Sequence, residues 1–221
     1  MAAINKDGLT DAKRSMNYYQ AIYRGLDPEE ISARCNLSFD GEAFSIMIMG
    51  KPCFASFPDY SLLVNAPKDS KLIDTQNPYE KILFLRYLCE GHYTEPLGKQ
   101  LSYREIPWGD LYFANFDKRC IKRLARGFGN NLDIFRIAME GNTGLKAQKL
   151  NTGDAGYRFE FCSGFFMSFL VWAADEDFPA SAQILFGDNF PGAFTAEDMA
   201  LAGDVAINHC QTTGSAAISS A

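Results

Sequence analysis

Apolar residues recur at helical spacing between Asp11 and Arg24, where Met16, Tyr19, Ile22 and Tyr23 fall together and Gly25 follows as a stop, so a first helix is predicted there. Asp27-Pro28-Glu29-Glu30 predicts the start of a second that ends by Asn36: Asp caps, Pro fits the first helical position, and two acids suit the positive end of the helix dipole. From Glu42 to Val64 the pattern changes to short apolar runs, Phe44 to Met49, Cys53 to Phe57 and Tyr60 to Val64. Gly50-Lys51 and Pro58-Asp59 separate them, which predicts a three-stranded antiparallel meander. Pro78 to Glu90 reads as a largely buried helix closed by Gly91, with His92 and Tyr93 in the loop behind it. In Phe116 to Phe128 one face is Phe116, Cys120, Ile121, Leu124 and Phe128, while Lys118, Arg119, Lys122, Arg123 and Arg126 lie away from it.

A further helix is predicted over Leu132 to Glu140. Gly141 to Gly156, rich in Gly, Asn, Thr and Lys, reads as the longest irregular connection and a candidate flap or lid. Tyr157 to Cys162, Phe165 to Trp172 and Ala182 to Phe186 read as strands, and Thr195-Ala196-Glu197-Asp198 opens a final helix expected to end near His209. Strands thus fall in two clusters separated by helices rather than alternating with them. That pattern predicts a single α+β domain over residues 1–210, with an antiparallel sheet built from two strand clusters and packed with helices, followed by a flexible tail at 211–221.

Composition narrows the chemistry. The 221 residues are 47% hydrophobic and 22% charged, a globular balance with enough chain for a sizeable core. With 18 Phe and 10 Tyr against 2 Trp and 2 His, the chain is equipped for packing and ring stacking rather than imidazole chemistry, and a zinc site with several His ligands is excluded. A net charge of -6 argues against nucleic acid as a partner. No apolar run approaches the roughly 20 residues that span a bilayer, and Met1 to Asp11 lacks the apolar core of a signal peptide, so a cytoplasmic protein with no membrane partner is expected. The six cysteines contain no Cys-x-x-Cys pair, which suits neither zinc nor an iron–sulfur cluster and reads as reduced, mostly buried thiols. No Gly-x-Gly-x-x-Gly or Gly-Lys-Ser/Thr occurs, so a phosphate-binding loop is not expected.

Asp175, Glu176 and Asp177 stand directly after the aromatic run Phe165 to Trp172. Clustered carboxylates repel, so burial can keep one protonated beside an ionised neighbour, as general acid–base work requires, or they can hold a hard cation; equally, they can form a polar turn that ends a buried strand. The segment Ser102 to Phe113 is the second candidate. Arg104, with Glu105 beside it, can take an anionic group, and Trp108 and Tyr112 can stack on a planar ligand; the plainer reading pairs Arg104 with a nearby acid and sends the rings to the core. His92 is a candidate axial ligand or base, and His209-Cys210 a candidate Cys/His pair, although the loose tail beside it is a poor place to hold geometry. The basic face of Phe116 to Phe128 is either a partner-binding surface or a solvated helix face.

Several motifs carry a resemblance. Trp172 with Asp175-Glu176-Asp177-Phe178-Pro179, Ile184-Leu185-Phe186, Thr195 to Ala200, Leu85-Arg86-Tyr87-Leu88, Tyr103-Arg104-Glu105-Ile106-Pro107-Trp108-Gly109 and Gly153 to Tyr157 resemble a domain-of-unknown-function family, number 3786, of anaerobic bacteria and archaea. The likeness covers nearly the whole chain. It brings no reaction with it, but it implies a redox or tetrapyrrole context, with a heme or corrinoid as cofactor and a redox or iron–sulfur protein as partner.

The leading expectation is therefore a small-molecule binding protein with an aromatic-lined pocket. In it Arg104 and Glu105 meet polar groups, Trp108, Tyr112 and Trp172 supply rings, and His92 is the axial ligand. Two alternatives stand beside it. One is a metal-independent isomerase, lyase or hydrolase in which Asp175 or Glu176 moves a proton and Tyr112 or Arg104 steadies developing negative charge; the other is an interaction module built on the basic helix.

Overall fold

A computed structural model describes residues 6–65, 71–141, 145 and 147–219. Two compact units divide the chain, residues 1–46 with 52–93 in one and 47–51 with 94–221 in the other. Both combine helices with antiparallel strands, so the α+β class and the two strand clusters are as the pattern predicts.

The first unit begins with α1 (Lys6–Arg24) and α2 (Pro28–Cys35). Asp27 accepts a hydrogen bond from the Glu29 N–H at 2.8 Å and Pro28 occupies the first turn, as expected. Strands β1 (Ser38–Phe39), β2 (Ala43–Ile48), β3 (Lys51–Ser56), β4 (Leu62–Asn65) and β5 (Leu72–Asp74) follow in simple succession, with Met47 and Ile48 of β2 and Lys51 of β3 falling in the second unit. The predicted meander is β2 to β4; β1 and β5 extend it with two or three residues each. α3 (Pro78–Glu90) closes the unit with the predicted bounds, its first turn capped by Asn77. Arg34 of α2 holds the far end of α3, donating to the Leu88 carbonyl at 2.7 Å and to that of Gly91, where a cation meets the negative end of the helix. Tyr23 centres the core, edge-on to Phe57 at 5.3 Å and to Tyr60 at 5.6 Å.

The second unit holds β6 (Gln100–Ser102), a 3₁₀ turn (Tyr103–Glu105), α4 (Gly109–Phe116), a π turn (Asp117–Ile121), α5 (Lys122–Phe128) and α6 (Leu132–Glu140). It continues with β7 (Gln148–Leu150), β8 (Ala155–Cys162), β9 (Phe165–Trp172), β10 (Ser181–Gly187), α7 (Phe190–Ala193) and α8 (Ala196–Ser219). The strands run β7, β8, β9, β10, β6, and the last residue of β2, Ile48, pairs with Cys162 at the far end of β8. One sheet face carries the core: Tyr157, Phe159, Met167, Phe169, Ile184 and Phe186 are fully buried. Phe135 of α6 meets Tyr157 there at 5.4 Å, and Phe116 of α4 meets Phe186 at 6.0 Å.

Three expectations change. The Gly141 to Gly156 stretch contains β7, paired with β8 from Gln148 to Leu150, while residues 142–144 and 146 of the expected flap lie outside the described residues. The Phe116 to Phe128 helix is divided by the π turn, whose extra residue per turn lets the Lys122 N–H reach the Asp117 carbonyl. The last helix continues through much of the expected tail to Ser219, because small residues there allow close packing. A Cβ on Gly214 would stand 2.8 Å from Ile134 Cγ2 of α6. Residues 220–221 lie outside the described residues.

Candidate functional site

The segment from Ser102 to Phe116 is built by reciprocal capping. The Ser102 N–H donates to Glu105 Oε2 at 2.7 Å, and the Ser102 hydroxyl and N–H together hold the Glu105 carboxyl below its usual range. Tyr103 then turns inward. Its ring stacks on Phe116 at 3.8 Å with planes only 5° apart, and its hydroxyl donates to the Ala196 carbonyl at the start of α8 at 2.7 Å. Burial pushes the Tyr103 phenol up to about 12, so it stays a neutral donor at physiological pH.

Gly109 closes the turn. A Cβ there would lie 1.8 Å from the Tyr103 carbonyl oxygen, so no residue larger than glycine can occupy this crossing. The residue before it, Trp108, takes a left-handed conformation with φ 64° and ψ 2°. For a bulky side chain this is a true outlier, at about 1–3 kcal/mol. Burial does not offset that cost, because the Trp108 side chain is 74% exposed.

Trp108 is one of the residues that line a cavity of about 210 Å³. Ile106, Pro107 and Trp108 form one wall, and Phe194, Ala196 and Met199 belong to the facing side. The facing wall is fixed by the start of α8, where Thr195 Oγ1 donates to Asp198 Oδ2 at 2.7 Å and the Asp198 N–H returns a bond to Thr195 Oγ1. Phe194 is held edge-on to Phe165 at 5.3 Å. The result is a largely apolar slot with a mostly exposed tryptophan among its lining residues.

The other residues singled out from the sequence are placed as follows. Arg104 is exposed and engaged, donating to Asp110 at 3.0 Å with its guanidinium 3.6 Å over the Phe113 ring, and neither it nor Glu105 nor Tyr112 is among the cavity's lining residues. Tyr112 is partly exposed on α4. His92 is exposed in the first unit, and Trp172 is half-buried at the end of β9. Asp175, Glu176 and Asp177 are all exposed. Asp175 Oδ1 accepts from the N–H groups of Asp177 at 2.9 Å and Phe178 at 2.7 Å, so this carboxylate closes its own turn. On the basic helix, Arg119 and Arg123 both grip Asp204 of α8, Arg119 at 2.9 and 3.0 Å, and Lys122 reaches Asp117 at 2.7 Å.

None of the six cysteines is in a disulfide, and burial pushes Cys35 up to about 11 and Cys89, Cys120 and Cys210 to about 12. In the His209-Cys210 pair burial lowers the imidazole to about 4 while raising the thiol, the reverse of what an activated thiolate needs. Among the described residues no cluster of three or more His, Cys, Asp or Glu is arranged to hold a metal ion.

Arg158 and Glu160, which sequence reasoning passed over, line a second cavity of about 290 Å³. Their signal was present in β8: Tyr157, Phe159 and Phe161 alternate with Arg158 and Glu160, two charges on the face opposite three buried rings.

A family described as a domain of unknown function (DUF3786) matches residues 27–209, from the cap of α2 well into α8. The chain belongs to that family. No curated protein and no solved structure matches it. The family match spans the Trp108 turn, the acidic turn and β8. Among the described residues no helix is long and apolar enough to cross a membrane.

Proposed function

We propose that this DUF3786 protein binds a small planar organic molecule in the slot that Trp108 lines. One observation carries the reading: a tryptophan among the residues lining an apolar cavity is held in a left-handed backbone conformation and stays mostly exposed. Glycine or asparagine would meet the backbone requirement with less strain. The indole itself is therefore the selected feature, and stacking on a ring is what an exposed indole at an apolar slot does best.

Size limits the ligand. An apolar cavity of about 150 Å³ accepts benzene, and pockets for drug-sized molecules run from about 300 Å³ upward. At about 210 Å³ the slot suits one or two fused rings. It does not enclose a tetrapyrrole, and among its lining residues only Met199 carries a metal-ligating side chain. A heme or corrinoid fits this site poorly. A reducing compartment such as the cytoplasm accords with six cysteines that form no disulfide.

The test is a fluorescence titration of W172F, in which Trp108 is the remaining tryptophan, with indole, quinoline, adenine, heme and cobalamin. Saturable quenching by a one- or two-ring compound is expected. Calorimetry should show that W108A weakens this binding by about 3- to 10-fold, the loss of one stacking partner. Quenching by none of the compounds, or full affinity in W108A, contradicts the reading.

A further inference from the structure

We propose that the cavity at Arg158 is a second, separate binding site, and that it takes a small zwitterion of the amino-acid class. Cross-strand register puts its groups on one face. Arg158 stands opposite Gln148 on β7 and Ser168 on β9, and Glu160 stands opposite Phe166, so all five side chains share the sheet face that the aromatic core does not use. Along this row Ser168 is buried and satisfied, accepting from Gln100 Nε2 at 2.7 Å.

Arg158 is the exception. Its guanidinium lies 4.2 Å over the Phe166 ring, and among the described residues it makes no hydrogen bond or ion pair. Arg158, half-buried, stacked on a ring and lining a cavity of about 290 Å³, is preorganised for a planar anion. Its neighbour Glu160 does not neutralise it. Glu160 Oε1 accepts from the Gly164 N–H at 2.7 Å, which fixes the carboxylate and leaves Oε2 available to a donor.

Charge selects the ligand class. A doubly charged phosphate would be drawn to Arg158 and repelled by Glu160, whereas a carboxylate that also carries an ammonium group complements both at once. Met47 and Phe166 supply apolar walls for a side chain, and Gly50, at φ 74°, contributes backbone only and leaves room beside them. The reading uses different residues and a different cavity from the Trp108 slot, so either can fail without the other.

Calorimetric titration of the full chain with the standard amino acids, their deamino and decarboxy analogues and inorganic phosphate tests it. At least one amino acid should bind saturably, and each analogue lacking one charge should bind at least roughly tenfold more weakly. R158Q and R158K should both lose roughly ten- to hundredfold in affinity, the second keeping the charge but not the planar fork. E160Q should narrow the gap between an amino acid and its deamino analogue. No binding by any amino acid, unchanged affinity in R158K, tighter binding of phosphate than of amino acids, or an intact gap in E160Q would each overturn the proposal. If R158Q does not fold, R158K and E160Q carry the same decision.

Discussion

Two turns of this protein look alike from outside and differ in what holds them. The turn at Asp175 exposes three carboxylates and a phenylalanine at 70%, and the turn at Trp108 exposes an indole at 74%. At Asp175 the carboxylate accepts two backbone N–H groups, and the Asp175 N–H donates to the Phe178 carbonyl at 3.0 Å. Its polar groups serve the turn itself. At Trp108 a bulky residue sits in a left-handed conformation that the fold does not reward with burial. Charge and exposure are common properties of surface turns, whereas strain without a packing return needs another explanation, and ligand contact provides one.

Substitutions can break or sharpen this contrast. The largest effect is expected at Gly109, where a Cβ meets a backbone oxygen at 1.8 Å. G109A should destabilise by about 3 kcal/mol, a fall in Tm of about 6–12 °C in a chain of this size. A Tm within a degree of wild type would show that the turn is far more adaptable than its geometry indicates. W108G should act in the opposite direction, raising stability by about 1 kcal/mol and Tm by about 2–4 °C, since it removes strain and little burial. D175A should lower stability by about 0.5–1 kcal/mol through loss of the two turn bonds, comparable to a weak cap, and should leave binding at Trp108 unchanged. The smallest effect concerns pH. Glu105 is held below its ordinary range by Ser102, so its contribution is present above the unfolded carboxyl value and is lost as pH falls through the folded one. Acid titration of Trp108 emission in W172F should show a change that is absent in E105Q.

Much of the fold was legible because periodicity and caps agree. α3, α6 and β9 have the predicted bounds, and Asp27-Pro28 and Thr195-Asp198 form the caps their sequences suggest. What was not legible depends on distant partners. β1, β5, β6 and β7 are two or three residues long, too short to show a period, and exist because a neighbouring strand offers them a ladder. The end of α8 was hidden because small residues read as a loose tail until α6 is known to pack against Gly214. The candidate site divides the same way. Ile106-Pro107-Trp108-Gly109 plainly spells a turn, and the glycine is the natural choice for a left-handed residue. Instead Gly109 is needed for its close approach to Tyr103, and the left-handed conformation falls on Trp108. Arg158 and Glu160 were readable from strict alternation in β8, but nothing local shows that Arg158 lacks an acceptor among the described residues.

The most direct test pairs two measurements on one variant, W108G: thermal unfolding and calorimetric binding of the best one- or two-ring compound from the wild-type titration. A Tm above wild type together with binding weakened by about 3- to 10-fold is predicted, because the indole is kept at a cost in stability for contact with a ligand. A Tm below wild type, or binding at full affinity, would contradict the claim that Trp108 is strained for function.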